Sequence, residues 1–167
     1  MNRISIFGCL LLCLSLHACQ CSDKPEVGPV AAASLEEQVE QLGKPVYDTR
    51  CAQCHQANGQ GIPGSFPSLT QTEWVLGDKG RLVRLLLNGM QGPLEVEGEV
   101  YNGIMILPPP ALTDEQVAAV LTYVRQHFGN HAEAVTPDEV ATVRAANEQE
   151  GLWEASELLE RTGLPGE

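Results

Sequence analysis

Cys51, Cys54 and His55 stand together in the run Cys51-Ala52-Gln53-Cys54-His55. Two thiols with two residues between them can point the same way within one helical turn, at the spacing of the two vinyl groups on one edge of a haem. The next residue then lies over the ring, so one pentapeptide can both anchor the cofactor covalently and place an imidazole nitrogen on its iron. Other chemistries need features that the sequence lacks. A structural zinc site takes four ligands, and His127 and His131, at acceptable mutual spacing, are far downstream. A thioredoxin-like dithiol expects a βαβ surrounding, whereas this neighbourhood reads as helical and glycine-rich. A disulfide closing so short a loop would be strained.

If a methionine supplies the second axial ligand, only Met90 and Met105 qualify once an N-terminal leader is removed. Met105 falls in a stretch that reads as irregular, after Tyr101-Asn102-Gly103 and before Pro108-Pro109-Pro110, where prolines stiffen a loop and can hold a sulfur in place. Met90 follows a leucine-rich helix and Gly89, a setting in which a thioether fills core gaps. Met105 is the expected ligand.

Helices must position these groups. Thr113-Asp114-Glu115-Gln116 is a capping box, and Val117, Val120, Leu121, Val124 and Phe128 then recur at helical spacing up to Gly129. Lys79 to Asn88 predicts a second helix with its leucines inward, Arg81 and Arg84 outward, and Gly89 as terminator. A third covers part of Glu36 to Cys51 and either begins or kinks at Pro45, which has no N–H. Strand signal is confined to the alternation from Leu94 to Tyr101, which suits a short surface hairpin. Thr136-Pro137-Asp138-Glu139 opens a further helix, and Ala155 to Arg161 suits another; their acidic faces read as solvated.

The chain has 167 residues, room for one compact domain with tails, and 43% apolar content is enough for a core. Ten Lys and Arg against 22 Asp and Glu exclude a phosphate backbone as a partner, since no cation cluster is available. After Arg3, an apolar run too short to span a bilayer reads as a secretory signal. It ends in Leu16-His17-Ala18-Cys19, which resembles the lipobox of bacterial lipoproteins and implies lipidation of Cys19. Residues 1–18 are thus the expected signal peptide. Residues 19–36, with Pro25, Gly28 and Pro29, read as a flexible tether, in which Cys21 is expected to stay unpaired. The region 44–130 is nearly neutral while both flanks are acidic, so residues 131–167 are expected to form an acidic helical extension.

From Gly43 to Asn130 the chain resembles the monohaem class I cytochrome c domains of bacteria. The resemblance rests on Gly43 and Tyr47 before the pentapeptide, on Asn58-Gly59-Gln60-Gly61 and the stretch from Ile62 to Leu69 after it, and on Leu87 to Pro93, Tyr101 to Met105 and the capping box. It is similar above all to cytochrome domains found with periplasmic dehydrogenases. It implies an all-α fold over residues 37–130 around one covalent haem c, whose first and last helices cross where Gly43 and an aromatic such as Tyr123 meet. It further implies that Cys51 and Cys54 carry the haem, that His55 and Met105 bind iron, and that a carbonyl at Pro67, or else Pro63, holds the His55 ring. Trp74 either directs its indole N–H at a haem propionate or is a packed aromatic. The pattern departs at Met105, where Ile106 and Leu107 precede the prolines. The expected function is a periplasmic, lipid-anchored electron carrier without turnover of its own, exchanging electrons with protein donors and acceptors. Alternatives are a tightly bound subunit of a dehydrogenase or terminal oxidase, or an open-site gas sensor or peroxidase-like protein.

Overall fold

The computed structural model describes residues 34–147 and 149–165. The expected signal peptide, Cys19, Cys21 and most of the expected tether lie outside the described residues. The Ser34 hydroxyl accepts from the Glu37 amide and opens Leu35–Gln38 (α1), which continues through a π-helical turn, Val39–Gly43, into Lys44–Arg50 (α2). A proline ring crowds the carbonyl one turn back and leaves one ladder bond unmade. The widened turn ahead of Pro45 absorbs this, with the Lys44 amide reaching back to the Val39 carbonyl. The α-helical hydrogen bonding thus resumes at Lys44, with Pro45 in its first turn, after an irregular turn that carries the helix past the proline.

Val39, Val46 and Tyr47 pack on Val120, Tyr123 and Val124. The latter belong to the helix Asp114–Gln126, α6 in chain order, which opens with the Thr113/Gln116 capping box the sequence predicts. The two helices cross backbone to backbone at Gly43. A Cβ there would lie 2.3 Å from the Ala119 carbonyl oxygen and 3.2 Å from the Tyr123 Cβ. Gly43→Ala must therefore push the helices apart. The expected loss is about 2 kcal/mol, read by calorimetry as a thermal midpoint lowered by roughly 6 °C.

α6 ends sooner than its apolar periodicity predicts. Phe128 adopts φ +58° and leaves the helical face, and its ring packs 5.0 Å from that of Tyr47. Between α2 and α6 come Ala52–His55 (α3), Glu73–Leu76 (α4) and Lys79–Asn88 (α5). α5 has the predicted limits, and Leu82, Val83 and Leu85 are buried. Arg81 is not outward as predicted. It lies over the Trp74 ring, 4.5 Å from its centroid, and donates to the Glu73 carbonyl at 3.1 Å.

After Gly89 the chain forms an antiparallel hairpin, Met90–Val96 (β1) and Glu99–Met105 (β2), with Met90 opposite Met105. The hairpin runs well beyond the Leu94 to Tyr101 limits read from alternation. A third strand, Trp153–Glu154 (β3), joins β1 in parallel. The all-α expectation thus holds only loosely: helices dominate, but a three-stranded sheet in the order β2-β1-β3 forms one wall.

The segment after Asn130 is helical and continuous with the core. Thr122 of α6 exchanges two hydrogen bonds with the Val135 backbone, at 3.0 and 3.1 Å. Arg125 donates to the carbonyls of Glu133, Val75 and Gly77. Pro137–Ala145 (α7), opened by Thr136 and Glu139, buries Val140 and Val143 against Leu82, Val83 and Val117. Ala155–Glu160 (α8) places Leu158 beside Trp74, Leu85, Met90 and Trp153.

Candidate functional site

Cys51 caps the C-terminus of α2, and the amides of Cys54 and His55 both donate to its carbonyl, at 3.1 and 2.9 Å. This tight turn brings Cys51, Cys54 and His55 to one cavity. Both thiols are free. Before a haem is attached, burial raises the pKa of the Cys51 thiol to about 11, with the charge of Arg50 opposing. The chain then turns at Gln56 in a left-handed conformation, φ +62°. The buried Tyr47 hydroxyl fixes that turn by donating to the Gln56 carbonyl at 2.6 Å.

His55 is buried, and its Nδ1 lies 2.9 Å from the Pro67 carbonyl oxygen. A carbonyl can only accept, so Nδ1 carries the proton and Nε2 keeps its lone pair. Burial lowers the pKa of the ring, with the Pro67 contact opposing, and this favours the neutral, ligating form. The acceptor is Pro67, not Pro63. Its loop is pinned from two sides. The Gly61 amide donates to the His55 carbonyl at 2.9 Å, and a Cβ on Gly61 would come within 2.5 Å of the Pro67 carbonyl oxygen. The fully buried Asn130 donates to the carbonyls of Leu69 and Val124 and accepts from the Gln71 amide.

The sheet faces this cavity. Met90, Gly92, Leu94 and Val96 of β1 alternate onto it, with Tyr101, Gly103 and Met105 of β2. Gly92 and Gly103 are register partners, so the middle of that face carries no side chain. Val120, Leu121 and Val124 of α6 and Leu82, Leu85 and Leu86 of α5 complete apolar walls. Met105 is the last residue of β2 and not part of an irregular stretch; the irregular segment begins after it. Met90 is 4% exposed and packed among Trp74, Leu85 and Trp153, whereas Met105 is only partly buried.

Trp74 lines the cavity, and its indole N–H donates to the Glu95 carbonyl at 3.3 Å. A propionate would have to compete with that carbonyl. His127 stacks on Tyr123 at 4.0 Å and faces Glu40 through Nε2, away from the cavity lining. His131 is exposed. No cluster of three or more His, Cys, Asp or Glu suited to a metal ion occurs among the described residues.

Tyr47 enters the sequence reading only as part of a pattern and Asn130 only as its end, yet both hold the loops that frame His55. Their signals, a tyrosine one turn before Cys51 and an asparagine after a glycine stop, become specific only when the partner carbonyls are known.

A free Cys pair, a neutral imidazole with one uncommitted nitrogen and two methionine thioethers around apolar walls fit a covalently held haem better than any aqueous metal site. A family model for cytochrome c matches residues 40–128. The chain belongs to the cytochrome c family. It is 41% identical over 112 residues to a cytochrome c-552 of Thermus thermophilus, an alignment covering 62% of this chain and 84% of that protein. It is 34% identical to the fructose dehydrogenase cytochrome subunit of Gluconobacter japonicus, over 64% of this chain but 23% of that one. A cbb3-type cytochrome c oxidase subunit of Rubrivivax gelatinosus is 31% identical, over 58% of this chain and 28% of its own length. As a member of this family it carries covalent haem c and acts in electron transfer.

Proposed function

We propose that this cytochrome is a lipid-anchored periplasmic electron carrier in which Cys51 and Cys54 would hold the haem covalently and His55 and Met105 would bind its iron. The observation that carries the reading is that Cys51, Cys54, His55 and the methionine end of the hairpin line one largely apolar cavity. The haem supplies one-electron exchange at its iron. His55 offers Nε2 because Pro67 fixes its tautomer. Met105 offers a weak donor that favours the reduced state and raises the potential. Met90, enclosed in the core, supports the strand on which the sheet is built.

An independent carrier is favoured over a tightly bound subunit by coverage. The alignment spans 84% of the cytochrome c-552 but 23% of the fructose dehydrogenase subunit. No described helix is long and apolar enough to cross a membrane. The proposed attachment is through Cys19, in the sequence Leu16-His17-Ala18-Cys19. Trp74, with its indole on the Glu95 carbonyl, acts as a packed wall of the cavity. Two measurements test the proposal. Reduced holoprotein at neutral pH is expected to leave its spectrum unchanged under carbon monoxide; a bound-ligand spectrum would instead mean an open iron site. Cys19→Ser is expected to move the protein from the membrane fraction to the soluble fraction. Retention on the membrane would rule out this anchor.

A further inference from the structure

Arg50 is the last residue of α2, directly before Cys51. Its guanidinium Nη2 donates to the carbonyls of Pro108 and of Pro110, the latter at 2.8 Å. It has no carboxylate partner among the described residues, although the chain carries a formal charge of −12. Its charge is spent on a loop and not on an ion pair.

At its far end the loop is held through Leu112, whose carbonyl accepts from Arg144 at 3.1 Å; nearer Met105 the grip is that of Arg50. The segment after Met105 leaves the sheet, and Ile106 is 58% exposed. Pro108, Pro109 and Pro110 have no N–H, so their carbonyls are the backbone polar groups through which the rest of the molecule can grip this stretch. Ile106 and Leu107 separate Met105 from the prolines and lengthen the path over which the strand end can move. Arg50 Nη2 closes that path onto the residue next to a haem-bearing cysteine.

We propose that Arg50 is a positioning residue, a latch that ties the loop after Met105 to the Cys51 end of α2 and so keeps the Met105 sulfur at the iron. This rests on Met105 being the axial ligand. A thioether is a weak donor, and an exogenous ligand competes with it in proportion to the fraction of time it is away. The latch acts on that fraction. Arginine suits the task because its planar guanidinium holds the two Nη2 hydrogens in fixed directions, so that one nitrogen can serve both carbonyls, whereas a lysine ammonium offers rotatable donors on a flexible stem.

The test uses oxidised full-length holoprotein titrated with imidazole, followed by loss of the long-wavelength sulfur-to-iron band. Wild type, Arg50→Lys, Arg50→Gln and Met105→Ala are compared, with far-UV circular dichroism confirming the fold of each. Both Arg50 variants are expected to show imidazole affinity raised on the order of tenfold, and their band to fade on heating well below global unfolding. Affinity and band persistence like wild type in both variants would overturn the latch. Wild-type behaviour of Arg50→Lys beside raised affinity in Arg50→Gln would support the latch, with the cation's donors and not the guanidinium's shape as its grip. If Met105→Ala keeps the band, the axial assignment itself has failed, separately from the latch.

Discussion

Met105→Ala is expected to abolish the sulfur-to-iron band of the oxidised protein, to lower the reduction potential by on the order of 0.1 V or more, and to open the iron to carbon monoxide. Met90→Ala is expected to keep the band. The two methionines face each other across the β1–β2 ladder and both line the cavity, so position alone does not separate them. Their surroundings do. Met90 sits inside a closed cluster with Trp74, Leu85 and Trp153, and moving its sulfur would empty that core. Met105 is at the strand end, against that cluster rather than within it, and joined to the loop that Arg50 grips. The expected cost of Met90→Ala is stability, about 3 kcal/mol for a buried methionine, with the spectrum intact. Visible absorption, redox titration and thermal melting on the two variants separate these outcomes; loss of the band in Met90→Ala alone would reverse the assignment.

Trp153→Ala is expected to cost about 3 kcal/mol and to lower the thermal midpoint by roughly 10 °C. Trp153 is 4% exposed, pairs with Met90 in the sheet, and its amide donates to the Gly89 carbonyl at 3.1 Å. The figure is at the low end for a buried tryptophan because its indole N–H is buried without an acceptor, so deletion also relieves an unsatisfied donor. The side chain lies two strands away from Met105, with Met90 between them. Loosening β3 is therefore expected to weaken the band in proportion to stability while leaving covalent haem in place. Calorimetry beside a haem-stained denaturing gel checks both halves, and an unchanged midpoint would show that β3 is dispensable.

What could be read in the sequence was local. The capping boxes at Thr113 and Thr136, the limits of α5 and the chemistry of Cys51, Cys54 and His55 each depend on residues within a turn or two of one another. The Gly43 crossing came from resemblance, and the 2.3 Å approach to the Ala119 carbonyl supplies its physical cause. The full length of the hairpin is not legible in the sequence because Gly92, Pro93 and Gly103 break its apolar alternation. Those glycines are where the cavity face is empty of side chains. Arg81 reads as outward by helical spacing, yet packing on Trp74 outweighs exposure. The Arg50 grip and two of the three Asn130 bonds join residues 58 to 61 positions apart, and no local pattern encodes which backbone group such a side chain will meet.

The most direct measurement is the absorption spectrum, oxidised and reduced, of protein made in a host able to attach haem, run beside a denaturing gel stained for haem. The account predicts haem that stays with the denatured chain, and a six-coordinate spectrum with a weak long-wavelength band in the oxidised state. Haem that washes away on denaturation, or no haem at all, would contradict covalent attachment at Cys51 and Cys54 and with it the electron-transfer function.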